Sequence, residues 1–406
     1  MVRKRISQVF IIITSVAFIQ IFNTILLART LSKHDMGFWR LILTLSEVGT
    51  LLGVLGIDNS FVRFFSSPLV SIQQYDWKTF LKRFFLISLL ITLITSAIAY
   101  FIYNLTPVFT LFLLTLIMML ISVFIFASFL RAKQKYELAI FFSRSNFLIF
   151  FALFMVIYIL KTVTLNKVLI CYFVSAIMAN LITVCYCLKK IPNGTDPIPR
   201  SVFKNGLYYF GMGLAILFML QTGNLVIGKF LSYADLAVYS VNASIMRLFE
   251  FIQDSSYYVL APHLNQAKNF SSKKIFSVLF FLGLVSALLY LAFAKQLVHF
   301  LFGGLYDEGA YLIPFFIGIG FIRTLFVLPA SIIGAKSSEA ILKNQVLITS
   351  AAAALNLVLA VIFIHTWQLK GIAAANLISW GALFVAALFL TRKYIIFTDT
   401  NEAISI

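Results

Sequence analysis

From Val9 to Thr391 the chain is a succession of apolar runs, each about twenty residues long, separated by short polar loops. A bilayer's hydrocarbon core of about 30 Å takes roughly 20 helical residues to cross. Within it every backbone amide must be paired internally, which restricts spanning segments to helices and closed barrels. The runs are continuous (Phe84 to Tyr103, Phe109 to Leu130) rather than alternating, so they read as helices. Twelve spans are expected, over residues 8–28, 38–62, 84–103, 108–130, 138–160, 168–188, 206–228, 236–261, 275–302, 309–333, 343–365 and 371–391. Hydrophobic residues make up 61% of the chain and charged ones 11%, which leaves no stretch for a soluble domain.

The net charge is +18. In a soluble protein that would point to nucleic acid; here the positive-inside rule accounts for it. Lys and Arg concentrate at the N-terminus, in the loops after even-numbered spans and after span twelve, which predicts both termini in the cytoplasm. Basic loops on that side would also meet anionic lipid headgroups. Arg3, Lys4 and Arg5 precede a long first run with no small-residue cleavage site, so the sequence predicts an uncleaved first span. Cys171, Cys185 and Cys187 fall in span six and form neither a disulfide framework nor a metal-ligand spacing.

The chain repeats itself. Arg29-Thr30-Leu31-Ser32 with Asp35-Met36-Gly37-Phe38-Trp39 is echoed by Lys229-Phe230-Leu231-Ser232 with Asp235-Leu236-Ala237-Val238-Tyr239. Gln20 and Asn23 are echoed by Gln221 and Asn224, and Arg131-Ala132-Lys133 by Gly334-Ala335-Lys336. The longest polar loop, with Pro192, Asn193, Gly194, Pro197 and Pro199, falls between the two copies. This predicts an N-terminal lobe of spans one to six (1–188), a cytoplasmic linker (189–204) and a C-terminal lobe of spans seven to twelve (205–406). Six spans per copy is an even number, so both lobes keep one orientation, as parallel repeats do; transporters often place their pathway at such a repeat interface.

Charged groups inside spans are costly and usually face a cavity or each other. Span two carries Arg40 and Glu47 on one helical face, with Asp58 and Arg63 near its end. Span eight carries Arg247, Glu250 and Asp254 on one face. The functional reading is a wet cavity lined by spans one, two, seven and eight. Arg40, Arg247 and Arg323 of span ten would meet an anionic ligand, since the planar guanidinium binds phosphate bidentately. Glu47, Glu250 and Asp254 would either balance those charges in ion pairs or carry a coupling proton or sodium ion. Gln20, Asn23, Gln221 and Asn224 would bind sugar hydroxyls or hydrogen-bond between helices. Ion pairs that merely pack helices are the competing reading for each charged group. Pro314 and Pro329, with Gly318 and Gly320, are a candidate kink in span ten. No catalytic residue, metal site or cofactor motif is evident, and the outer loops are too short for an outer-face glycosyltransferase.

At this point the sequence resembles a known family. Leu27-Ala28-Arg29-Thr30-Leu31, Asp35-Met36-Gly37-Phe38-Trp39, Leu55-Gly56-Ile57-Asp58-Asn59-Ser60 and Arg63 are similar to patterns of Wzx-type O-antigen flippases. These belong to the multidrug/oligosaccharidyl-lipid/polysaccharide (MOP) exporter superfamily. The resemblance implies an all-α, V-shaped transporter of two six-helix lobes in the bacterial cytoplasmic membrane. It implies a substrate of undecaprenyl-diphosphate-linked glycan carried to the outer leaflet by alternating access. A polysaccharide polymerase and a chain-length regulator are implied partners, and no cofactor beyond an ion gradient is expected. One departure stands out: span seven has neutral Gln221 and Asn224 where an acidic residue is expected of many relatives. The alternatives are a multidrug-antiporter-like (MATE-like) exporter of the same superfamily and a membrane polysaccharide polymerase or ligase.

Overall fold

The computed structural model describes residues 2–65, 72–191, 194–244, 272–336 and 339–396, together with 246, 249, 250, 252, 253, 256 and 260. Among them there is no β-strand; one isolated parallel bridge joins Tyr75 to Asp196. The helices are α1 (Val2–Thr30), α2 (Lys33–Val54), α3 (Ile57–Phe65), α4 (Trp77–Tyr103), α5 (Pro107–Ala132), α6 (Tyr136–Ile159), α7 (Leu165–Leu188), α8 (Arg200–Phe230), α9 (Tyr233–Ala243), α10 (Ser272–Phe302), α11 (Ile313–Lys336) and α12 (Glu339–Ile396). Nine helical stretches among the described residues are long and apolar enough to cross a membrane. The chain is a multi-pass, all-α membrane protein.

Local sequence sets the helix ends. Ser32, Asp76, Thr106, Thr164 and Ser232 each accept a hydrogen bond from the backbone N–H three residues on, satisfying a donor that a helix start leaves unpaired. Pro107 follows its cap at the first helical position, where its missing N–H costs nothing. Asn104 closes α4 in the left-handed conformation it tolerates best after glycine.

Two boundaries differ from the sequence expectation. Residues 38–62 do not form one span: Leu55 (φ 54°) and Gly56 (φ 66°) are both left-handed and separate α2 from α3. The backbone of Gly206 and Phe210 lies so close to Gly56 that no side chain could fit there. A sequence of nearly unbroken apolar residues hides such a break. Conversely, the spans over 343–365 and 371–391 meet without a loop. They join at one non-helical residue, Gln368 (φ 48°, ψ −128°), inside α12. Pro329 lies within α11, whose helix continues past it.

By packing the chain divides into two units, residues 1–214 and 215–406, so the boundary falls inside α8. In the first unit α5 is central and touches α2, α3, α4, α6 and α7, while α1 packs on α6. Helix association in lipid depends on close packing rather than on a hydrophobic drive. Gly49 and Gly53, four residues apart on α2, supply it here by seating Ile117 and Ile121 of α5 against the α2 backbone. An aromatic cluster of Phe61, Phe65, Trp77, Phe80 and Phe129 fills the end of the unit, with ring centroids 5.0–5.2 Å apart at its closest pairs. The first turns of α8 belong here too: the Ser60 hydroxyl donates to the Val202 carbonyl, and Arg63 donates to the Tyr209 hydroxyl at 2.9 Å.

In the second unit α11 packs between α10 and α12, over a core of Leu279, Val327, Leu328 and Ile332. A 3-10 turn at Asp307–Leu312 ties α9, α10 and α11 together. The internal repeat has a structural counterpart at the start of both units. Ser32 opens α2 as Ser232 opens α9, each accepting from the N–H of an aspartate (Asp35, Asp235) at 3.1 Å.

Candidate transport site

In the first unit, α1 and α2 carry the candidate residues. Asn23 is buried, with its Oδ1 lacking a hydrogen-bond partner among the described residues, and Gln20 is half-buried one turn away. Arg40 is half-buried in α2. Its Nε is shielded from solvent and has no hydrogen-bond partner among the described residues. Glu47 lies seven residues along the same helix, a rise of about 10 Å at 1.5 Å per residue. The Glu47 carboxylate is exposed and acts electrostatically on the buried Tyr172 of α7, which lies beside Asn146 of α6. The Ser175 hydroxyl donates to Asn146 Oδ1, at 2.5 Å. Three helices thus converge on one polar cluster. Sequence reasoning singled out Glu47 but missed Tyr172, Asn146 and Ser175; neutral side chains scattered over 30 residues give no periodic signal. At the far end of the unit Asp58 is paired with Arg131 at 3.6 Å, and Arg131 also donates to the Ser128 hydroxyl.

In the second unit, Gln221 and Asn224 are both buried on α8 and joined by a 2.7 Å hydrogen bond from Asn224 Nδ2 to Gln221 Oε1. The two neutral side chains are thus joined one turn apart, where an acidic residue would need a counter-ion. Arg323 of α11 donates from Nη1 to Glu250 Oε1 at 3.0 Å, and its guanidinium lies 5.2 Å from the ring centre of Trp380 in α12. The arginine side chain is only 12% exposed, the glutamate 40%. Span ten offers no acid of its own; the partner comes from 73 positions earlier in the chain. Near Glu250, Gln253 donates to the Gly320 carbonyl at 3.3 Å, and Phe249 packs against Gly320. Arg247 and Asp254 lie outside the described residues. The three described histidines have other partners: His299 bonds Asp307 at 2.6 Å, His34 sits 3.7 Å from Asp35, and His365 packs edge-on to Phe230. Among the described residues no group of three His, Cys, Asp or Glu could hold a metal ion.

The chemistry available is therefore phosphate- or carboxylate-binding by guanidinium, hydrogen bonding by amides and hydroxyls, and charge compensation by carboxylates.

No family model and no curated protein sequence matches the chain. Solved structures do. A multidrug-resistance MATE-family transporter of the MOP superfamily, in an inward-facing conformation, superimposes with a TM-score of 0.64 at 13% identity, covering 97% of this chain and all of that one. The lipid II flippase MurJ, in an inward closed conformation, gives a TM-score of 0.70 at 14% identity over 94% of this chain and 87% of its own. The chain has the fold of the MOP-superfamily transporters. A third neighbour with this fold, the MATE multidrug transporter DinF-BH, gives a TM-score of 0.60 at 13% identity over 97% and 95% of the two chains. At such identities the likeness extends to the fold and no further.

Proposed function

We propose that this protein is a flippase for a polyprenyl-diphosphate-linked oligosaccharide, moving it from the cytoplasmic to the outer leaflet of a bacterial cytoplasmic membrane. The observation that carries this reading is Arg40: a guanidinium held half-buried in an apolar helix, with a buried Nε that no protein group satisfies among the described residues. Leaving such a donor unmade is expensive unless a ligand completes it. A diphosphate is an anion whose geometry matches guanidinium donors, and a glycan's hydroxyls suit hydrogen-bonding amides such as those of Gln20, Asn23, Gln221 and Asn224. Arg247 and Arg323 are the further cations of this proposal, and Glu47, Glu250 and Asp254 are the groups that balance them or carry a coupling ion. The fold shared with a lipid II flippase supports the same reading.

The fold shared with multidrug transporters favours a second reading, export of a soluble cationic compound. Against it, α1 contains no acidic residue to meet a cation.

The deciding experiment measures the sidedness of lipid-linked oligosaccharides in cells depleted of the protein. Completed units trapped in the cytoplasmic leaflet support the flippase. Single units reaching the outer leaflet without elongation indicate a polymerase or ligase, and unchanged pools with increased sensitivity to cationic dyes indicate the drug exporter.

A further inference from the structure

The first unit has a groove away from the candidate site. It lies between α4, α5 and α7, has a volume of about 610 Å³, and is open along one side. That volume is within the range of a lipid- or drug-sized site, roughly 300–1,000 Å³. Its walls are apolar: Leu81 and Phe85 from α4, Met118, Met119 and Phe126 from α5, and Val184 from α7. Methionines make such a wall adaptable to a flexible chain. The uncharged polar side chains that interrupt it are satisfied within the protein. Thr115 donates to the Leu111 carbonyl at 2.9 Å, and Asn180 donates to the Met119 carbonyl at 3.0 Å and to the Ser122 hydroxyl. The wall is thus closed to water-seeking groups and suited to hydrocarbon.

One end of the groove is basic. Lys82 lines it, is exposed, and makes no ion pair among the described residues. At the same end, Lys133 reaches across from α5 to the Lys190 carbonyl at 2.9 Å, two residues beyond Leu188 of the groove wall. Burial first, and then the neighbouring Lys135 and Lys190 charges, pull Lys133 below the ordinary lysine range.

Length decides between the lipids that carry a phosphate. From Leu114 to Phe126 the groove follows α5 for about 18 Å at 1.5 Å per residue. One leaflet contributes about 15 Å to a hydrocarbon core of about 30 Å. The groove therefore fits one acyl chain of ordinary length and is far too short for a polyprenyl chain.

We propose that this groove is a binding site for one anionic glycerophospholipid of the leaflet at its basic end, with an acyl chain along α5 and the headgroup phosphate on Lys82. Basic pockets between transmembrane helices are suited to such headgroups. A bound lipid would brace α4, the least buried of this unit's apolar spans, against α5 and α7. The site is separate from the substrate reading and does not depend on it.

The test uses the full chain purified in detergent, with phosphatidylglycerol, phosphatidylcholine or undecaprenyl phosphate added, and native mass spectrometry as the readout. One phosphatidylglycerol should bind in preference to phosphatidylcholine, and Lys82→Ala, an exposed change that leaves the fold intact, should weaken that preference about fivefold. Met118→Trp, filling the groove, should weaken both lipids. A diazirine-bearing phosphatidylglycerol gives a readout that needs no variant: its acyl label should mark the Met118–Met119 peptide. Equal binding of the two phospholipids, a preference unchanged in Lys82→Ala, labels spread evenly over the lipid-facing helices, or displacement of phosphatidylglycerol by undecaprenyl phosphate with the same Lys82 dependence would each overturn the proposal.

Discussion

Arg40 and Arg323 are the same kind of residue in the same kind of setting, a guanidinium in an apolar helix, yet the two units treat them differently. In the second unit the charge is fully provided for. Glu250 takes one side of the guanidinium and the face of Trp380 lies against it. In the first unit, Arg40 keeps a buried Nε that no described group satisfies. The repeat keeps the scaffold, down to the serine caps at Ser32 and Ser232, while the electrostatics diverge. An arginine that is already neutralised stabilises its own unit; one that is not keeps binding capacity for something else.

Removing each arginine's function should separate these roles. Arg40→Ala should lower transport of the lipid-linked glycan by roughly tenfold to a hundredfold, the worth of one charge-assisted hydrogen bond, with the thermal midpoint nearly unchanged. A fully active, well-inserted Arg40→Ala protein would break the comparison outright. Glu250→Gln should do the reverse in kind: it strands Arg323 and should destabilise the second unit by about 2 kcal/mol. That is less than the roughly 3–5 kcal/mol of a fully buried pair because Glu250 is partly solvated. The double change Glu250→Gln with Arg323→Met should recover most of that loss in a detergent unfolding assay. If the single variant melts with wild type, the pair is ornamental to stability.

The caps give a finer test. Ser32→Ala and Ser232→Ala should each cost about 1 kcal/mol. The second should cost more, because the Ser232 hydroxyl also donates to the Asp235 carboxylate at 2.6 Å, a charge-assisted bond that the substitution removes. Amide exchange over the first turns of α2 and α9 reads this directly, and equal protection in the two variants would erase the distinction.

The smallest expected effect is on pH. Asp76 caps α4, and its hydrogen bonds from the Thr79 side chain and backbone hold its carboxyl below the ordinary carboxylate range. A carboxyl depressed in the folded state contributes stability above its unfolded pKa and loses it as pH falls through the folded value. Exchange at the start of α4 should therefore rise only in acid, below about pH 4, and Asp76→Asn should flatten that rise.

How much of this was legible in the sequence follows from the range of the forces involved. The spans were legible, because a bilayer imposes a length on each apolar run. The Leu-Ser-x-x-Asp motif at Ser32 and Ser232 was legible as a repeat 200 positions apart, though not as a pair of helix caps. The break at Leu55-Gly56 was not, since its cause is the approach of Gly206 and Phe210, some 150 residues later. Nor was the partner of Arg323: an ion pair between two helices leaves no spacing to read along either one. The cluster of Glu47, Tyr172, Asn146 and Ser175 is the same case with neutral residues, assembled by three helices meeting around α5.

The loop around Gly194 is rich in proline and glycine and reads as a slack spacer, but it is pinned. Asp196 exchanges backbone hydrogen bonds with the 74–76 segment at 2.8 and 2.9 Å, and Gly194 lies against the Gln74 backbone with no room for a side chain. A protease should find the 194–196 stretch a poor substrate, and an epitope tag placed within it should misfold its neighbourhood. Gly303 has open space where a side chain would go. The turn there is the better place to open the chain for a label or a cleavage site.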